Sequence, residues 1–183
     1  MGYWGLFIIV MLAGVVIQST LQGKFAKYSK VSLKYGYTGA DIARKMMQDN
    51  GITDVKVECI EGTLTDHYNP STKTVNLSKK VYYGSSVAAA AVAAHECGHV
   101  VQHAVGYAPL KLRSALVPVV SFANNTVQWI LLLGMLMIKT FPTLLWIGIA
   151  LFAMTTLFSF VTLPVEINAS ARAVKWLDNA GIT

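Results

Sequence analysis

Charge is scarce in this chain, and negative charge scarcest: nine Asp and Glu stand against fifteen Lys and Arg in 183 residues, 13% charged in all, with a net charge of +6. No charged side chain occurs from Met1 to Gly23, from Ser114 to Ile138 or from Thr140 to Val165. Each stretch reaches the roughly 20 residues that cross a bilayer as a helix. A hydrophobic content of 54% and a mean hydropathy of +0.50 exclude an ordinary soluble domain. Cysteine is nearly missing: Cys59 and Cys97 are too few and too far apart for a disulfide framework or a cysteine zinc site, and they suit a reducing compartment. The chain also lacks internal repeats, low-complexity linkers and any interleaving of basic with aromatic residues. These absences leave no room for a repeat array, a second soluble domain or a nucleic-acid partner, so the positive excess reads as membrane topology and contact with anionic lipid.

Three membrane spans are expected. Residues 1–23 lack the basic start of a signal peptide and their apolar run is too long for one, which predicts a retained N-terminal anchor. Residues 114–165 predict a helical hairpin that turns at Lys139-Thr-Phe-Pro-Thr143, with Pro142 at the turn. Lys24, Lys27, Lys30, Lys34, Lys111 and Arg113 lie beside the spans, whereas the hairpin tip carries only Lys139. The positive-inside rule therefore puts residues 24–113 in the cytoplasm. The third span returns residues 166–183 to that side, as a helix restarting after Pro164 with Ala169, Ala173, Val174 and Leu177 at helical spacing.

Between anchor and hairpin, Thr38-Gly-Ala-Asp41 reads as a helix start, Ile42, Ala43, Met46 and Met47 as its apolar stripe, and Asn50-Gly51 as its stop. From Asp54 to Ile60, Val55, Val57 and Cys59 alternate with Lys56 and Glu58, while Thr63 to Tyr68 and Thr72 to Leu77 flank Asn69-Pro70-Ser71. Together these segments predict a small antiparallel β-sheet. An Ala-rich helix then runs from about Ser86 to Ala104, with Gly106 ending it. The expected fold class is a mainly α membrane protein with that sheet, a zincin-like helix and a transmembrane helical hairpin.

The Ala-rich helix carries His95-Glu96-Cys97-Gly98-His99. Two imidazoles four apart project from one helix face and can bind one zinc ion, with Glu96 where a general base belongs. Cys97 is turned about 200° from His95, into packing. A catalytic zinc needs three protein ligands and an open position for water, so a third ligand must come from elsewhere. Glu58, Glu61, Asp66, His67, His103 and Glu166 are the candidates. On an unbroken helix His103 lies about 12 Å along the axis from His95, too far for one ion. Glu166, a carboxylate at the membrane boundary beside Pro164, is costly without a partner, and zinc would be that partner; the alternative is an interfacial glutamate facing water. His67 could donate to a reaction intermediate or be an ordinary hairpin histidine.

The stretches Leu64-Thr-Asp-His-Tyr-Asn-Pro70, Ala93-Ala-His-Glu-Cys-Gly-His-Val-Val-Gln-His103, Leu110-Lys-Leu-Arg-Ser114 and Leu163-Pro-Val-Glu-Ile-Asn-Ala-Ser170 carry a resemblance across roughly Tyr37 to Leu177. In combination they resemble the bacterial membrane-bound neutral zinc metallopeptidases of the YugP-like group. The resemblance implies Zn²⁺ held by His95, His99 and Glu166, with Glu96 as catalytic acid/base. The sequence departs from that group at Asn69, where an aspartate is usual, and at Thr183, where relatives usually continue to a further C-terminal span. The expected protein is thus a multi-pass membrane zinc metalloendopeptidase acting on a polypeptide. Its domains are an anchor (1–23), a cytoplasmic catalytic region (24–113), a hairpin (114–165) and a cytoplasmic helix bearing the third ligand (166–183). The rival reading is a non-hydrolytic zinc-binding membrane chaperone or adaptor. Asn124, Asn125 and Gln128 hint at a transporter, but spans without an ionisable side chain make a poor one.

Overall fold

The computed structural model describes residues 3–182. In chain order its elements are α1 (Tyr3–Tyr28), α2 (Gly39–Asp49), β1 (Lys56–Ile60), β2 (His67–Asn69), β3 (Thr74–Ser78), α3 (Lys79–Tyr82), α4 (Val87–Ala104), α5 (Ala108–Leu136) and α6 (Pro142–Ala180). Among the described residues three helices, α1, α5 and α6, are long and apolar enough to cross a membrane, each overlapping one of the three stretches that lack charge. The chain divides into two compact units, Met1–Val100 with Arg172–Thr183, and Val101–Ala171.

In the first unit, α2 begins where a Thr-x-x-Asp capping box satisfies two orphan N–H groups. The Thr38 hydroxyl accepts from the Asp41 N–H, and the Asp41 carboxylate accepts from the Thr38 N–H. Its stripe of Ile42, Ala43, Met46 and Met47 is buried, and Gly51 leaves the helix at φ +70°. Gly39 is needed for close approach, because a Cβ there would lie 2.2 Å from the Val81 carbonyl oxygen. The chain after α1 is tied to the start of α4: the Leu33 N–H donates to Ser85 O, the Val87 N–H donates to Val31 O, and Ser32 bridges Ser86.

The sheet has three strands in the order β1-β3-β2, and it is mixed, not antiparallel as expected. β2 and β3 form the antiparallel hairpin around Asn69-Pro70-Ser71, but β1 pairs parallel to β3, from Lys56 opposite Thr74 to Ile60 opposite Ser78. Alternation of apolar residues reports which face of a strand is buried and is silent about the partner's direction. Direction is decided by the connection through residues 61–66, which turns at Gly62 (φ +113°) and Leu64 (φ +58°) and delivers the chain to the far side of β3. Those turns also shorten β2: of the expected Thr63–Tyr68 strand only His67 and Tyr68 are paired, and Asn69 completes β2.

In the second unit α5 and α6 form a hairpin whose contact is built on glycine. A Cβ on Gly134 would lie 2.8 Å from the Leu145 Cα, and one on Gly148 would lie 2.7 Å from the Leu131 side chain. Small residues are what allow two apolar helices to approach when no water drives them together. Pro142 is the first residue of α6, where its missing N–H costs nothing. The expected restart after Pro164 does not occur: α6 runs unbroken through it. Proline removes one helical donor, and long apolar helices tolerate that when neighbouring groups serve the local carbonyls. The carbonyl that loses its donor is that of Phe160; just beyond the proline the Gln102 amide donates to the Val165 carbonyl oxygen at 2.8 Å.

Candidate metal centre

Alanines 88, 89, 90, 93 and 94 are all buried, so the first three turns of α4 pack closely and carry the motif into the interior. Cys97 is fully buried, as its place on the helix predicts, and its Sγ–H donates to the Ala43 carbonyl at 3.5 Å. Burial pushes its thiol well above the ordinary range, and the neighbouring Glu96 carboxylate pushes the same way, so this thiol is neither nucleophile nor ligand. On the other face the His95 and His99 rings sit 4.9 Å apart, centroid to centroid, and almost perpendicular. Glu96 and His99 are each only 8% exposed.

His95, His99 and Glu166 each offer one ligand atom that a metal ion could take. Two imidazole nitrogens and one carboxylate oxygen are a donor set that zinc accepts, and three protein ligands leave a fourth position open. The turn that bears Glu166 is held by two side chains. Gln102, fully buried, donates to the Val165 carbonyl and, at 3.0 Å, to the Asn168 side-chain oxygen. Arg113 places Nη2 3.7 Å from a Glu166 carboxylate oxygen, and its Nε is buried with no hydrogen-bond partner.

The remaining candidates lie outside this group. His103 is exposed on the last turn of an unbroken α4. Glu58 is exposed, Glu61 pairs with Lys79, and the Asp66 carboxylate accepts from both the N–H and the hydroxyl of Ser78. His67 has both ring nitrogens engaged within the hairpin: Nδ1 donates to the Thr65 carbonyl at 2.8 Å, which leaves Nε2 to accept from the Asn76 amide at 3.2 Å. His95 and Glu96 also line a pocket of about 570 Å³ within the first unit, together with residues of α1, α4 and the β1–β2 connection.

Comparison with known families supplies the deciding observation. The model of the family described as "Putative neutral zinc metallopeptidase" matches residues 3–183. The chain belongs to this zinc metallopeptidase family. It is also 43% identical over 180 residues, which is 96% of this chain and 79% of the relative, to "Putative membrane protease YugP" of Bacillus subtilis (strain 168). No solved structure matches the chain. Within this metallopeptidase chain, sequence reasoning missed Gln102 and gave Arg113 only a topological role. The available signals were an amide in the apolar run Val100-Val-Gln102 and a guanidinium one residue from an uncharged span.

Proposed function

We propose that the chain is a multi-pass membrane zinc metalloendopeptidase in which His95, His99 and Glu166 hold the metal and Glu96 moves the proton. The observation that carries this reading is the His95/His99 pair on α4, with Glu96 beside it and lining the adjoining pocket; the Glu166 carboxylate is the donor that completes the set. Zinc bound there supplies Lewis acidity, which polarises a scissile carbonyl and makes water acidic enough to ionise near neutral pH. Glu96 accepts the proton of the attacking water and returns it to the leaving amine nitrogen. Gln102 and Arg113 orient the Glu166 carboxylate. His67 is assigned no step, since Thr65 and Asn76 occupy its ring nitrogens. The substrate is a polypeptide, for which the outer edge of a small sheet offers strand addition. The flanking Lys and Arg put the catalytic region and the segment after Val165 on the cytoplasmic side of the cell membrane.

Glu96→Gln tests the reading. It should retain zinc and lose peptide hydrolysis by roughly 10²- to 10⁴-fold. Cleavage at the parent rate under equal zinc loading would instead identify a non-hydrolytic zinc-binding chaperone or adaptor.

A further inference from the structure

We propose that the pocket beside Glu96 receives an apolar side chain from a polypeptide lying at the membrane surface, so that the substrates are chains anchored in the bilayer and cut close to it. The inference rests on the peptidase reading and names its substrate class. Three observations carry it.

The pocket is not walled by the catalytic region alone. Leu21 and Phe25 of α1 line it together with Ala91, Val92, His95 and Glu96 of α4. The helix that anchors the chain is thus a wall of the cleft in which peptide would be cut.

The wall residues sit at the membrane boundary. The uncharged stretch of α1 ends at Gly23, and Lys24 and Lys27 follow. At a rise of 1.5 Å per residue, Leu21 lies only about 4.5 Å along the axis from Lys24, where the headgroup region begins. A peptide in this pocket is therefore within reach of the lipid surface. One leaving a membrane helix arrives there without having to be recruited from solution.

The third observation is Leu64, which also lines the pocket. Its backbone is left-handed, with φ +58°, a conformation that branched aliphatic residues avoid, and yet the residue is 48% exposed. The left-handed turn at this position serves the sheet, but a half-exposed leucine is not needed to make it, since glycine or asparagine takes that conformation at less cost. A leucine held at the mouth of a cleft does have a use there, as an apolar surface for substrate.

The test uses the full-length protein, loaded with zinc, in liposomes. A library with a randomised segment is presented in three forms: followed directly by a transmembrane helix, joined to that helix by a long Gly/Ser linker, or free in solution. Products are identified by mass spectrometry. The directly anchored form should be cut fastest and the linker form more slowly, although both are equally concentrated on the membrane, and Leu, Ile and Phe should be enriched beside the cleaved bond. Leu64→Asn should reduce that enrichment roughly tenfold. Asparagine is at home in the left-handed region, so the fold is not challenged. Independently of catalysis, a benzophenone amino acid at position 64 or 25 in Glu96→Gln protein should crosslink to the directly anchored peptide. Equal rates for all three forms, or crosslinks to lipid alone, would overturn the inference while leaving the peptidase reading intact. Absence of any cleavage, including that of an unfolded soluble protein, would overturn the peptidase reading and this inference with it.

Discussion

A glutamate on a long apolar helix keeps a defined carboxylate position only if its neighbours hold it, and Glu166 has such neighbours in Gln102 and Arg113. If Glu166 is the third ligand, Glu166→Gln exchanges an anionic oxygen donor for a neutral one at nearly constant shape. Zinc affinity, measured by titration of metal-free protein, should then fall by more than the roughly 10- to 100-fold typical of an outer-shell change. His103→Ala should leave the affinity unchanged, because the exposed end of α4 lies outside the ligand group. Gln102→Leu is the informative intermediate. It removes donors from the Val165 carbonyl and from Asn168 inside a fully buried environment, at a cost of about 1–3 kcal/mol. It should also lower zinc affinity by an outer-shell amount, roughly 10- to 100-fold. Denaturant unfolding and the same zinc titration read the two effects separately.

Among the elements, α2 and the α5–α6 hairpin show two ways in which a helix is fixed. The α2 terminus depends on reciprocal Thr38–Asp41 bonds, so Thr38→Ala should cost about 0.5–2 kcal/mol in denaturant unfolding. Hydrogen bonds from the Thr38 side chain and backbone hold the Asp41 carboxyl below its ordinary value, with Arg44 adding a smaller pull. A carboxyl lowered in the folded state stabilises fully above its unfolded pKa of about 3.9. The contribution fades as the pH falls through the lower folded value, so the cap should survive mild acidification and fail only in strong acid. In the hairpin, Gly134→Ile would drive a branched side chain into the Leu145 backbone. Overpacking of that kind costs typically 1–3 kcal/mol and should appear as a lowered melting temperature of the protein in detergent.

At the scale of the whole molecule the testable claim is topology. If the three apolar helices all cross the bilayer, the basic residues beside them should hold residue 71 and residue 179 on one side and the hairpin tip on the other. Cys59 and Cys97 can be replaced to give a cysteine-free background. Single cysteines at Ser71, Thr143 and Asn179, probed on intact cells with an impermeant thiol reagent, should label at position 143 alone. Labelling at 71 without 179 would separate Glu166 from the histidines and dismantle the proposed metal site.

What the sequence determined by itself was whatever depends on spacing along one element. Three uncharged runs are long enough to cross a bilayer by length alone, the Thr38–Asp41 box starts α2, and the interval from His95 to His99 fixes a shared helix face because 3.6 residues make a turn. Cys97 is buried for the same reason, and the distance from His95 to His103 removes the latter from the ligand group. Pairing between distant segments was not legible. Apolar alternation cannot tell a parallel from an antiparallel neighbour, and it was the left-handed turns at Gly62 and Leu64 that placed β1 parallel to β3. Pro164 read as a helix break, because the local rule counts one lost donor against the helix, whereas α6 runs on through it with the other bonds of a long apolar helix intact. Arg113 read as a topological charge until the fold set its guanidinium beside Glu166. Local geometry follows from covalent periodicity and is written in the order of residues, whereas a contact between distant residues exists only once the chain has closed the loop between them, and so tertiary structure alone decided it.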